Sequence, residues 1–263
     1  MLNYTITSNA SIPAEGIRCI KVNWLSGHVD IARYDGDEII FNESANRELH
    51  QDEMMRYKVS GNELKIAFSE DDKKLMKGLF NNLQKTLTLC IPKDLQVLDV
   101  DTISAGIAVD TVTTEILKLK TISGSVSALN LTVSEEIKTN TVSGSIYIDN
   151  ITTFREIDCN SVSGSIKLNG IKAFHNVKCN TVSGSINVQC MECPQNSKCN
   201  TVSGRIEISL PENNGFHATY TSVSGKMNCA FPCIIENKGY IYKEGGSELK
   251  FSTVSGGISI NRT

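Results

Sequence analysis

Apolar and variable residues alternate along much of this chain, and the alternation returns at a fixed interval. Ile146, Ile166, Ile186 and Ile206 form one column, and Ile148, Leu168, Val188 and Ile208 form a second. Between them stand Tyr147, Lys167, Asn187 and Glu207, which share no chemistry. Apolar, variable, apolar is the pattern of a strand with one buried face. Ile157-Asp158-Cys159 and Val177-Lys178-Cys179 give a second alternating strand per interval, and nothing follows a 3.6-residue period there.

The interval is carried by a phrase. "NTVSGSI" occurs at 140–146 and 180–186, with "NSVSGSI" at 160–166. Gly124, Gly144, Gly164, Gly184 and Gly204 are 20 residues apart, and Gly225 follows after 21. Val142, Val162, Val182 and Val202 make a third apolar column. Looser copies lie at 24–31 and 57–66, and a last one at 253–260. In-register columns at a fixed period mean coils that bury a face only by stacking, roughly 4.8 Å apart, with strands paired in parallel. The expected fold is all-β: a single-domain parallel β-solenoid, or β-helix, over 1–263 with about 20 residues per coil. Residues 1–100 read as irregular coils, 101–225 as regular ones, and 226–263 as a hairpin and last coil. Ser-Gly is the expected corner, with glycine supplying backbone angles closed to other residues. Asn140, Asn160, Asn180 and Asn200 read as a second corner carrying an amide ladder.

Two segments break the rule. Within 70–84, Leu75, Met76, Leu79, Phe80 and Leu83 fall on one helical face ringed by lysines. This predicts a short helix packed over the solenoid, with a membrane-surface helix as the lesser reading. "NKGYIYKEGGSELKF" at 237–251 predicts a hairpin around Gly245-Gly246, a cap for an exposed strand edge. The chain then closes on "TVSGGISINRT", a coil that pairs with another molecule if uncovered.

Composition narrows the field. A net charge of −3 over 263 residues gives no basic field for nucleic acid. No apolar run approaches the roughly 20 residues of an integral membrane helix, and the first residues do not resemble a signal peptide. Nine cysteines, an odd number, suit a reducing compartment. The location expected from these features is cytoplasmic by default, or the cell surface through an unseen export route.

Candidate chemistry is sparse. Cys159, Cys179 and Cys199 point inward as a ladder of small buried thiols. Cys190 and Cys193 form a CxxC, and Cys229 and Cys233 follow. A metal at Cys190 and Cys193 is the lesser alternative, because the register sets Cys233 two coils away and zinc needs sulfurs about 2.3 Å from the ion. No cofactor is expected. His28, His50, His175 and His217 make no ligand motif, and the outward columns offer no carboxylate pair for glycoside hydrolysis. No catalytic residue is expected. The binding candidates are the outward column Tyr147, Lys167, Asn187 and Glu207.

"IKVNWLSGHVDIARYDGDEIIFNE" at 20–43, "LTLCIPKDLQVLDVDTISAGIAV" at 87–109, the TVSGSI coils and "GYIYKEGGSELKFSTVSGGISI" at 239–260 follow in order. That order resembles the bacterial putative-adhesin family of β-strand-repeat proteins, formally a domain of unknown function. The resemblance implies one β-solenoid without established catalytic residues. The expected function is a non-enzymatic, adhesin-like binding module for an unknown protein or glycan. The alternatives are a cytoplasmic scaffold that self-associates through a solenoid edge and, less favoured, a carbohydrate-active enzyme.

Overall fold

The alternating columns become two hydrogen-bonded ladders. The computed structural model describes residues 5–6, 8–69, 83–236 and 239–263, and the helix expected over 70–84 lies outside them apart from Leu83 and Gln84. Among the described residues there are only strands and connections; the sheet is open, not a barrel.

In the first ladder, strands Gly106–Asp110, Val126–Asn140, Ile146–Thr153, Ile166–Ala173, Ile186–Cys190 and Ile206–Leu210 pair in parallel. Ile146 faces Ile166, Ile166 faces Ile186 and Ile186 faces Ile206, an offset of 20 residues each time. The second ladder runs through Leu95–Thr102, Thr113–Lys120, the latter half of Val126–Asn140, Glu156–Asn160, Asn176–Asn180 and Asn196–Ser203. Val126–Asn140 belongs to both ladders and joins them. The Ile146 and Ile148 columns are fully buried between the ladders, as is the Cys159, Cys179, Cys199 column. Alternation alone produces this: in-register strands place every second side chain in one apolar interior.

The corner differs from the sequence reading. Gly144, Gly164, Gly184 and Gly204 are not in the left-handed region. A Cβ on any of them would lie well under 3.0 Å from the carbonyl oxygen of the preceding glycine in the column. They are glycines because successive corners touch. Within the regular coils the left-handed positions are Thr111, Asn130, Asn150 and Gly170, at another bend; among the Ser-Gly corners, Gly27 and Gly256 of the outer copies do take positive φ. The second residue of the phrase also has a specific duty. Thr141 Oγ1 accepts the Gly144 N–H at 3.0 Å and donates to the Gly124 carbonyl at 3.2 Å. Ser161 repeats this at 2.9 and 3.2 Å.

The asparagine ladder forms, with Nδ2 to Oδ1 distances of 3.1, 2.9 and 2.7 Å from Asn160 to Asn140, Asn180 to Asn160 and Asn200 to Asn180. It stands at the entrance of the Ser-Gly corner, not at a second one. The valine column is not buried. Val142, Val162, Val182 and Val202 are 44–47% exposed on the outside of that corner.

Both ends depart from sequence order. Cys19–Trp24 lies between Glu63–Ala67 and Leu95–Thr102. At the other end, Ser247–Ser255 sits between Asn196–Ser203 and Gly215–Ser222, and Ile258–Arg262 between Ile206–Leu210 and Met227–Cys229. The closing TVSGGISI coil is therefore covered on both sides. The condition for self-association through it, an uncovered coil, is not met. The expected hairpin is also redrawn. Gly239–Lys243 and Ser247–Ser255 flank Gly215–Ser222 instead of pairing with each other, and the hairpin partner of Gly239–Lys243 is Ile234–Glu236.

Candidate binding face

The outward column of the first ladder comes together as one strip. Tyr147 pairs with Lys167, Lys167 with Asn187, and Asn187 with Glu207, on adjacent strands. Strands about 4.8 Å apart place the four Cα atoms along roughly 14 Å. Their side chains are cross-connected. Lys167 Nζ lies 5.6 Å from the Tyr147 ring centre. Tyr147 donates its hydroxyl to Asp149 Oδ2 at 2.9 Å, which raises the Tyr147 pKa and keeps the phenol protonated. Asn169 donates to the other Asp149 oxygen at 2.8 Å. Asn187 donates to Glu207 Oε2 at 3.1 Å, and Arg205 meets Oε1 of the same carboxylate at 3.3 Å. The sequence alone sets Asp149 and Asn169 in a neighbouring polar stripe with Gln189 and Ser209, apart from the binding candidates, and gives Arg205 no part in it. The twenty-residue register that aligned the column aligns Asp149 and Asn169 equally.

The strip presents two cations, an aromatic ring, amides and two carboxylates in register on adjacent strands. Each carboxylate already accepts two hydrogen bonds, so it is held in place without being desolvated. Chemically, the arrangement offers donors and acceptors to a hydrogen-bonding surface.

The thiols divide by burial. Cys179 is sealed in the interior, and hydrogen bonding to the Cys159 and Cys199 thiols, with burial, raises its pKa. Burial also raises Cys190 and Cys193. Cys190 is interior, while Cys193 lines a cleft of about 510 Å³ with Met191, Glu192, Glu212, Asn213 and Ser247. No group of three or more metal-ligating side chains occurs among the described residues. Cys229 and Cys233 form a separate pair, sulfurs 3.4 Å apart.

One buried charge went unseen in the sequence. Lys85 and Glu43 have fully buried side chains joined at 2.6 Å. Lys85 Nζ also donates to the Glu53 and Phe68 carbonyls at 2.7 and 2.5 Å, and lies 4.0 Å from the Phe68 ring centre and 5.0 Å from that of Trp24. Glu43 accepts the Met55 N–H at 2.7 Å. Its partners come from strands and turns scattered over sixty residues, so no local pattern announces it. Enclosed on all sides, it pins the irregular N-terminal coils.

The family model described as Toastrack DUF4097 matches residues 17–261. No curated protein matches the chain. Among solved structures, a putative adhesin from Parabacteroides merdae is 13% identical with a TM-score of 0.56, covering 96% of this chain and 95% of that one. A putative adhesin from Bacteroides fragilis is 11% identical with a TM-score of 0.51, covering 99% and 98%. A structure from Parabacteroides distasonis, described as a putative lipid binding protein, is 16% identical with a TM-score of 0.51, covering 97% of each chain. At these identities the likeness is one of fold.

Proposed function

The chain belongs to the Toastrack DUF4097 family, a domain of unknown function, and on that premise we propose that it is a non-enzymatic, adhesin-like binding module. It is built as a single β-solenoid domain with coils of about 20 residues. Its binding face is the strip Tyr147, Lys167, Asn187 and Glu207, backed by Asp149 and Asn169. One observation carries the reading: a regular scaffold holds chemically varied side chains in register on an exposed face. Solenoids use such extended surfaces for partners. Two neighbours of the same fold, each described as a putative adhesin, support it.

The test is a screen of the full chain against glycans, matrix proteins and lipid vesicles. It is repeated with Tyr147, Lys167, Asn187 and Glu207 all replaced by Ala. Binding by the native chain that disappears in the folded quadruple variant supports the assignment. No binding in the screen, or binding that the variant retains, refutes it.

A second reading is a self-associating scaffold. Ile234 and Ile235, each 65% exposed, lie on Ile234–Glu236, which has a strand partner on one side. A chain that stays monomeric at high concentration counts against it.

A further inference from the structure

At the C-terminal end of the stack, the chain leaves its last first-ladder strand, Met227–Cys229, and turns through Ala230–Cys233 into the capping strand Ile234–Glu236. The turn is held from inside. Ala230 N–H bonds the Ile260 carbonyl at 2.8 Å, and Cys233 N–H bonds the Phe231 carbonyl at 2.8 Å. Phe231 is buried against Phe216 and Tyr242, with ring centres 5.2 and 4.9 Å away. These contacts bring the Cys229 and Cys233 sulfurs to 3.4 Å. Both residues are partly exposed, unlike Cys159, Cys179 and Cys199 deeper in the stack.

We propose that Cys229 and Cys233 are a dithiol modification site that closes to an intrachain disulfide by exchange with a small-molecule or protein disulfide. The thiolate of one cysteine attacks the incoming disulfide RSSR, forming a mixed disulfide and releasing RS⁻. The second cysteine, deprotonated in turn, attacks the protein sulfur of that mixed disulfide and releases the other RS⁻. Two protein thiols lose two protons and two electrons, and RSSR is reduced to two thiols. Burial pushes the Cys233 thiol up to about 12. The bond ties the end of the last strand to the start of the cap across Phe231, so closure locks the lid over the stack.

The two cysteines belong to the end cap, and their exchange does not depend on the binding strip. The geometry states what sets them apart from any two cysteines four residues apart: the folded chain already holds the sulfurs in contact, which raises their effective concentration. The experiment equilibrates the full chain with glutathione redox buffers at neutral pH, native and in urea, then quenches with acid and alkylates. Trypsin releases 227–238, which contains both cysteines between Lys226 and Lys238. The expected result is an unalkylated peptide lighter by two hydrogens. It is half-formed in the native chain at a glutathione ratio at least about tenfold more reducing than in urea. Cys233→Ser should leave a glutathione adduct on Cys229 in place of the internal bond. Closure at the same ratio native and unfolded, or adducts on both cysteines without an internal bond, overturns the proposal.

Discussion

Gly164→Ala is the sharpest test of why the repeated phrase exists. Its new Cβ would fall well under 3.0 Å from the Gly144 carbonyl oxygen and at 2.9 Å from Ser161 Oγ. To reach ordinary contact, the corner must move away from the one beneath it. That corner is held by Ser161, which accepts the Gly164 N–H and donates to the Gly144 carbonyl, and by Thr181, which donates to the Gly164 carbonyl at 2.9 Å. Overpacking costs about 1–3 kcal/mol, and two weakened hydrogen bonds add about 1 kcal/mol each. The expected loss is therefore about 3–5 kcal/mol, read from urea unfolding followed by far-ultraviolet circular dichroism. Gly164→Asn separates the two explanations for the glycine. Asparagine tolerates left-handed backbone but carries the same Cβ, so close approach predicts that it is as damaging as alanine. An asparagine variant near native stability, or an alanine variant losing under about 1 kcal/mol, would refute the reasoning.

Removing one member of the buried pair, Lys85→Met, should cost about 3–5 kcal/mol, because Glu43 is left charged and unpaired; Lys85→Met with Glu43→Leu should recover much of that in the same unfolding assay. Asn160→Ala breaks the amide ladder on both sides and also loses the bond to Asp158, so it should cost about 3 kcal/mol, whereas Asn200→Ala, which loses only the bond to Asn180, should cost about 1 kcal/mol. Hydrogen bonding from Arg47 holds the Glu53 carboxyl at about 2, below its ordinary 4.5. A depressed folded-state pKa contributes stability that is full above pH 4.5 and lost as pH falls towards 2. Thermal melts of Glu53→Gln across that window should therefore fall less steeply with acid than those of the native chain, and added salt should narrow the difference, since Arg47 is partly exposed.

The regular ladders were legible in the sequence because strand pairing in register is a local rule repeated. A column that recurs every 20 residues must face the same way on every rung, so the buried isoleucines, the inward thiols, the asparagine ladder and the outward strip could all be read in advance. Periodicity does not say which way a corner residue turns. The valine column keeps the same period as the isoleucines, yet it sits at the corner, with Val142, Val162 and Val182 outside the strands and Val202 near the end of one, and it faces out. Nor does a phrase reveal why it needs glycine: a left-handed angle and a touching neighbour leave the same letter.

By itself the sequence determined an all-β chain of stacked parallel strands, the identity of its core columns and the side chains sharing its exposed strip. Only the tertiary structure decided what happens where the repeat stops. The last coil slips between two earlier ones, since Leu249, Phe251, Ile258 and Ile260 are buried only with apolar rungs on both sides. Lys85 and Glu43 meet across 42 residues because each finds in the other the charge that makes burial tolerable. Cys229 and Cys233 touch because Phe231 between them is drawn into an aromatic cluster. These are long-range choices among competing burials: the partners of Lys85, of the last coil and of Phe231 each lie on other strands, elsewhere in the chain.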